Sequence, residues 1–129
     1  MRNLILISLG ASLGAISRWL ISSWLNPIYS TIPLGKLTVN VLGSFIIGCS
    51  TSLFLLLQQI PNEFKLFLVT GFLGSFTTFS TFSAEIGLLI QNKDYLHSMI
   101  GILLHLVCSI SAFFIGIFIM NKCLKFINN

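Results

Sequence analysis

Charge is what this sequence has least of. Only 8% of its 129 residues are Asp, Glu, Lys or Arg, 55% are hydrophobic, and the mean hydropathy is +0.97, whereas soluble domains are about one-quarter charged. A surface of that make-up cannot be wetted. Acids are scarcest of all: Glu63, Glu85 and Asp94 are the whole set, and His97 and His105 are the only histidines. No nucleophile, base and orienting group can be assembled from so few residues, which argues against a hydrolytic enzyme. The cysteines Cys49, Cys108 and Cys123 form no C-x-x-C pair and have no histidine at ligand spacing, so they read as lipid-facing or packing residues rather than a metal site. The seven basic residues give a net charge of +4 but are scattered and never form a run, which excludes a nucleic-acid surface. A phosphate-binding loop is excluded as well, because the Gly71–Thr78 stretch lacks a Gly-Lys-Ser/Thr ending.

What remains is apolar chain in lengths suited to a bilayer, where a helical span needs roughly 20 apolar residues. The expected fold is an all-α membrane protein, a single transmembrane domain over residues 1–129 with spans at about 3–25, 34–58, 64–90 and 95–120. The first apolar stretch is too long for a signal peptide and leads straight into a second span, so it reads as a retained helix. Trp19, Trp24 and Tyr29 cluster near its far end as an aromatic belt, and Asn26-Pro27 ends it. The segment Gln58 to Glu63 forms the turn into the third span, and Asn121-Lys122 begins a short tail.

The third span carries two glycines and a dense hydroxyl run, Gly71 to Ser83, where the membrane centre should fall. Gly and Thr weaken helix there. Unwound backbone at that depth is tolerated only inside protein or along a watery cavity, where freed carbonyls can bind ions. The spacing therefore predicts a broken helix near Gly74 to Thr78. Arg2, Lys65, Lys122 and Lys125 fall on one side of the four spans, and Arg18, Lys36 and Lys93 on the other. So even a split gives the insertion machinery almost no instruction, and dual topology with antiparallel pairing is expected. The small-residue spacings Gly10-x-x-x-Gly14 and Ser44-x-x-x-Gly48 suit either that pairing or packing within one chain.

Polar groups recurring on one face of a membrane helix usually mark a pathway. Asn40 and Ser44 are four apart on the second span, so an amide and a hydroxyl can look into one groove; Asn40 serving as a helix-to-helix bond is the other reading. Phe79 and Phe82, three apart, share a face. Such residues are usually lipid-facing or core, yet ring edges carry positive quadrupole charge, and edge-on rings beside hydroxyl and amide donors can hold an anion without a fixed cation. Arg18, near the end of the first span, either attracts anions or snorkels to the headgroups.

Three blocks carry a resemblance: Gly10-x-x-x-Gly14-Ala15-x-x-Arg18; Gly35-x-Leu37-x-Val39-Asn40-x-x-Gly43-Ser44-Phe45-x-x-Gly48; and Gly71-Phe72-x-Gly74-x-x-Thr77-Thr78-Phe79-Ser80-Thr81-Phe82-Ser83-x-Glu85. In these the chain resembles the Fluc family of fluoride channels. The resemblance implies an antiparallel dual-topology homodimer in the plasma membrane, or a pair of oppositely oriented homologues, with two parallel pores. Fluoride trapped in the cytoplasm by ionisation of hydrogen fluoride would leave through them passively. It further implies that Asn40 lines each pore, that Phe79 and Phe82 present ring edges to fluoride, and that backbone carbonyls at Gly74 and Thr77 hold a structural sodium ion (Na+) at the dimer centre.

Two departures stand out. Lys36 replaces the small hydroxyl residue usual after Gly35, adding a cation at the start of the second span. In the fourth span His105 and Ser109, four apart, with Ser111 beyond them, replace a hydroxylated track that commonly starts from tyrosine. His105 either makes conduction pH-sensitive or forms a helix-to-helix hydrogen bond. The alternative function is a proton-coupled small multidrug antiporter, which depends on an acid in the first span; this first span has none. Glu85 would have to serve instead, although it belongs to the fluoride motif and can simply cap or brace the broken helix. A non-transporting scaffold is the remaining alternative, against which the polar residues gathered at the helix break argue.

Overall fold

In a bilayer every backbone N–H and C=O must find a partner within the protein, and a helix provides one for each residue locally. The computed structural model, which describes residues 1–28, 34–57 and 59–127, contains four helices long and apolar enough to cross a membrane: Arg2–Ile28, Leu34–Leu56, Asn62–Gln91 and Tyr95–Phe126. The first is α1 (Arg2–Leu25) followed by a 3₁₀ turn over Asn26–Ile28, and the second is α2 (Leu34–Leu56). The third is built from α3 (Asn62–Lys65), a π-helical stretch Leu66–Leu73, α4 (Gly74–Phe76) and α5 (Ser80–Gln91). The fourth is α6 (Tyr95–Ile127). Tyr29 and Gln58, assigned above to an aromatic belt and a turn, lie outside the described residues.

The corners follow from local chemistry. Pro27 sits inside the 3₁₀ turn after α1, and the Asn26 Oδ1 accepts the Gly35 N–H at 3.0 Å, which ties that turn to the start of α2. Pro61, extended at φ −57° and ψ 142°, opens α3. After α5 the Asp94 N–H reaches the Leu89 carbonyl at 2.9 Å and the Lys93 N–H reaches the Ile90 carbonyl at 3.0 Å, with Lys93 at φ 60°. These two bonds and the left-handed residue make a Schellman ending, in which lysine stands where glycine would be unstrained. Asp94 then accepts the His97 backbone N–H at 3.3 Å, capping α6. It also faces the His97 Nδ1 at 2.8 Å, and this side-chain hydrogen bond holds the Asp94 carboxyl below the usual carboxylate range.

The tail expected after Met120 is instead helical as far as Ile127. No Gly or Pro interrupts that segment, and its inner face is used: Leu124 is buried, and the Asn121 Oδ1 accepts a 2.6 Å hydrogen bond from the Ser52 hydroxyl of α2.

Close approach of backbones organises the bundle. A Cβ on Gly10 would stand 2.9 Å from the Phe72 nitrogen, and one on Gly14 would stand 3.0 Å from the Phe76 nitrogen, so α1 lies directly on the backbone of the third span. A Cβ on Gly48 would meet the Phe113 carbonyl carbon at 2.9 Å, and one on Gly116 the Cys49 nitrogen at 3.0 Å, so α2 and α6 touch in the same way. The small-residue stripes at Gly10, Gly14 and Gly48 are therefore used for packing within one chain. Helix α5 leans mainly on α6. Outward faces are apolar: Leu9, Leu13 and Ile16 on α1 and Val107, Phe114 and Phe118 on α6 are all exposed, as lipid contact requires. Arg2 pairs with Glu63, placing the start of α1 and the connection from α2 to α3 at one end of the molecule.

Candidate functional site

The backbone between α4 and α5 is where the third span stops making its own hydrogen bonds. Thr77 is extended at φ −85° and ψ 158°. An uninterrupted helix would send the Thr78 N–H to the Gly74 carbonyl and the Thr81 N–H to the Thr77 carbonyl. Here the Thr78 N–H goes to the Asn40 Oδ1 at 2.8 Å, and the Thr81 N–H goes to the Thr78 hydroxyl at 3.4 Å. The Asn40 Nδ2 also donates to the Thr78 carbonyl at 3.0 Å. Asn40 thus pairs with Thr78 as a backbone strand would, once as donor and once as acceptor, across 38 residues of sequence. It has a second Nδ2 hydrogen left over. The hydroxyls serve the same end. The Thr77 Oγ1 donates to the Leu73 carbonyl at 2.9 Å, Ser83 Oγ to the Phe79 carbonyl at 2.9 Å, and Thr78 and Thr81 share a 2.8 Å hydroxyl pair.

Beside this junction lies a cavity of about 410 Å³. Asn40, Ser44, Phe79, Phe82, His105 and Ser109 all line it, so the groups singled out by spacing on three separate spans meet in one place. Gly74 and Thr77 line it too. Arg18 does not; it is half-buried on α1, and no carboxylate among the described residues pairs with it. Ile47, Leu73 and Leu106 supply an apolar wall that spacing did not single out. Thr78, placed by spacing only at the edge of the predicted break, lines the cavity as well, and its role has a local signal: a hydroxyl three residues before Thr81 is the spacing of a helix-capping side chain.

The two phenylalanines differ in setting. Phe82 is 9% exposed and Phe79 is 76% exposed, with ring centroids 5.6 Å apart and planes tilted by 52°. Phe82 in turn lies against the His105 ring, 4.3 Å between centroids and 34° between planes. Three residues past Phe82, Glu85 of α5 pairs with Lys36 at the start of α2, so the extra cation and the motif's acid neutralise each other and brace α5 against α2. A charge pair half out of solvent, formed by residues 49 apart, could not be read from local spacing.

Residues 5–117 match the family model described as CrcB-like protein, Camphor Resistance (CrcB). Among curated relatives, the protein named fluoride-specific ion channel FluC of Desulfovibrio desulfuricans is 46% identical over 116 residues, covering 90% of this chain and 90% of that protein. The one of the same name from Haemophilus influenzae strain Rd is 43% identical over 129 residues, covering 100% of this chain and 81% of the relative. Another, from Acinetobacter baumannii strain ACICU, is 50% identical over 107 residues, covering 83% and 84%. With a family model matched over most of its length and relatives this similar end to end, the chain belongs to the CrcB-like, camphor-resistance family.

Proposed function

We propose that this multi-pass protein of the plasma membrane is a fluoride-selective channel that lets the anion leave the cell down its electrochemical gradient. The observation that carries this reading is the cavity itself: an amide, hydroxyls and two phenylalanine rings from three spans converge there, without a bare cation to trap the ion. Fluoride would shed its water against the spare Asn40 N–H, the Ser44 and Ser109 hydroxyls, and the edges of Phe79 and Phe82. In a cell whose interior is electrically negative no coupling ion is needed, which separates this function from that of an antiporter. Glu85, the acid an antiporter would need free, is tied to Lys36.

The working unit in this reading is an antiparallel dual-topology dimer. Phe79 lines the cavity yet is 76% exposed, a state suited to a ring that a second copy covers. The junction after α4 serves as the break of the third span. Diversion of the Thr78 and Thr81 amides leaves the Gly74 and Thr77 carbonyls without their helical donors, and bare carbonyl oxygens are hard ligands suited to sodium. These two residues fit the structural sodium site, two copies of the chain would double the ligand set, and the ion would supply positive charge at the dimer centre.

Fluoride and chloride efflux from liposomes containing only the purified protein tests the function. Rapid fluoride release with little chloride release is expected, and replacing Phe79 or Phe82 by Ile should reduce it at least tenfold, about 1.4 kcal/mol on the barrier, with the dimer intact. Absent or equal release of the two anions overturns the reading.

A further inference from the structure

His105 is the one cavity residue whose chemistry the channel reading leaves unused. It is 6% exposed, and its Nδ1 lies 3.0 Å from the Gly101 carbonyl on its own helix. A carbonyl only accepts, so Nδ1 carries the hydrogen and Nε2 of the neutral ring carries the lone pair. That Nε2 is buried and has no partner. A histidine serving to bond one helix to another would have used this second nitrogen, and an orphaned buried acceptor in a native site calls for a role.

The charged surroundings are few. From α5, Glu85 stands three residues beyond Phe82, the ring that lies against His105, and leaves its own Oε2 without a partner. From α2, Lys36 is the ion-pair partner of Glu85, while Asn40 and Ser44 are neutral. The π-helical stretch and α4 contribute no titratable side chain. On α6 itself the nearest titratable neighbours by sequence are Cys108 and His97, and His97 is already engaged with Asp94. A proton on His105 would therefore change the charge of the cavity wall with little nearby to cancel it beyond the Glu85–Lys36 pair.

We infer that His105 is a proton-operated fluoride-holding group: when Nε2 takes up a proton from water, the cavity holds fluoride more tightly and releases it more slowly. This rests on the channel reading above. The imidazolium would lie on the face of Phe82, a contact favourable to a cation. It would make the edge of that ring more attractive to an anion, and would place a full positive charge about one ring away from it. Two unit charges about 7 Å apart at an effective dielectric of about 20 attract enough to tighten binding on the order of fifty-fold. By linkage, fluoride in the cavity favours the protonated ring by the same factor. Conduction requires an ion to leave as well as to enter, so tighter holding lowers the saturated current.

Planar-bilayer currents carried by fluoride, with identical pH on both sides, provide the test, because hydrogen fluoride is neutral and carries none. Over an acid series that begins at about pH 8 and is carried well past the range in which a free imidazole takes up charge, the half-saturating fluoride concentration and the saturated current should both fall at least tenfold. His105→Gln and His105→Asn should remove that pH response, and His97→Gln should retain it. As a measurement on the unmutated protein, fluoride added at neutral pH should raise the imidazolium fraction of the His105 ring seen by NMR, and nitrate should not. A pH-independent current in the unmutated channel, a pH response that survives His105→Gln, or a His105 signal indifferent to fluoride would each overturn the inference while leaving the channel intact. No fluoride current at any pH would overturn both.

Discussion

Replacing Asn40 by Leu tests whether one side chain holds the third span open. Leucine matches its size but can neither accept the Thr78 N–H nor donate to the Thr78 carbonyl, bonds of 2.8 and 3.0 Å in the native protein. Thr78 is 7% exposed, so only water held in the cavity that it lines could stand in for them. An unpaired buried backbone group costs about 1–3 kcal/mol, so losing both partners costs about 2–6 kcal/mol if the junction keeps its shape. The chain has one escape: the Thr78 N–H can return to the Gly74 carbonyl, rewinding the helix and recovering about half of that cost, but moving Phe79 away from the cavity. Either way fluoride flux is lost. Reversible unfolding in detergent, followed by circular dichroism, measures the first quantity, and liposome efflux the second. Asn40→Asp separates them. It keeps the acceptor for the Thr78 N–H, so less stability is lost, but its carboxylate repels an anion and flux disappears. If Asn40→Leu leaves stability within about 0.5 kcal/mol, the range of an ordinary surface change, and flux is also unchanged, the account of the junction is wrong.

Other expectations can be checked on the same preparations. Gly14→Ala would press a methyl into the Phe72 carbonyl, with the Phe76 nitrogen 3.0 Å away; it should cost about 1–3 kcal/mol or more, as overpacking does. Gly87→Ala meets nothing within 4 Å and should raise the stability of α5 by up to about 1 kcal/mol; a loss there would mean the face is covered in the assembled protein. Because the Asp94 carboxyl is held below its usual range by His97, its stabilising effect is complete above the ordinary carboxylate pKa and lost as pH falls through the lowered value. Unfolding of Asp94→Asn compared with the unmutated chain over an acid series should show the gap closing in that window, and a constant gap would assign the cap's value to geometry alone.

The four spans were legible because apolar length and polar punctuation are local properties of a sequence. So were Asn40, Ser44, Phe79, Phe82, His105 and Ser109, which repeat at helical spacing or stand out as polar groups in an apolar run. What spacing could not reveal is pairing at a distance: the Asn40–Thr78 clip, the Lys36–Glu85 bridge and the Ser52–Asn121 bond each join spans far apart in sequence. The end of α6 was misplaced because Asn121 and Lys122 look like solvent-side residues until the Ser52 hydroxyl on α2 is seen to accommodate one of them. The π-helical stretch Leu66–Leu73 had no local signal, since its residue types are those of an ordinary apolar span and its Gly74 N–H to Val69 carbonyl bond is not encoded in spacing.

The glycine contacts also decide which parts of the molecule can move. Where α1 meets the third span, and where α2 meets α6, backbone touches backbone, leaving no side chains whose rotamers could absorb a displacement. Each pair should therefore travel as a rigid body. Helix α5 has no such seam; it is held by α6 side chains, the Asn40 clip and the Lys36–Glu85 bridge. Any breathing of the cavity must be a swing of α5 about Thr77–Phe79, carrying both phenylalanines with it, and the rate at which an ion leaves is then set by a lever of twelve residues rather than by the bundle.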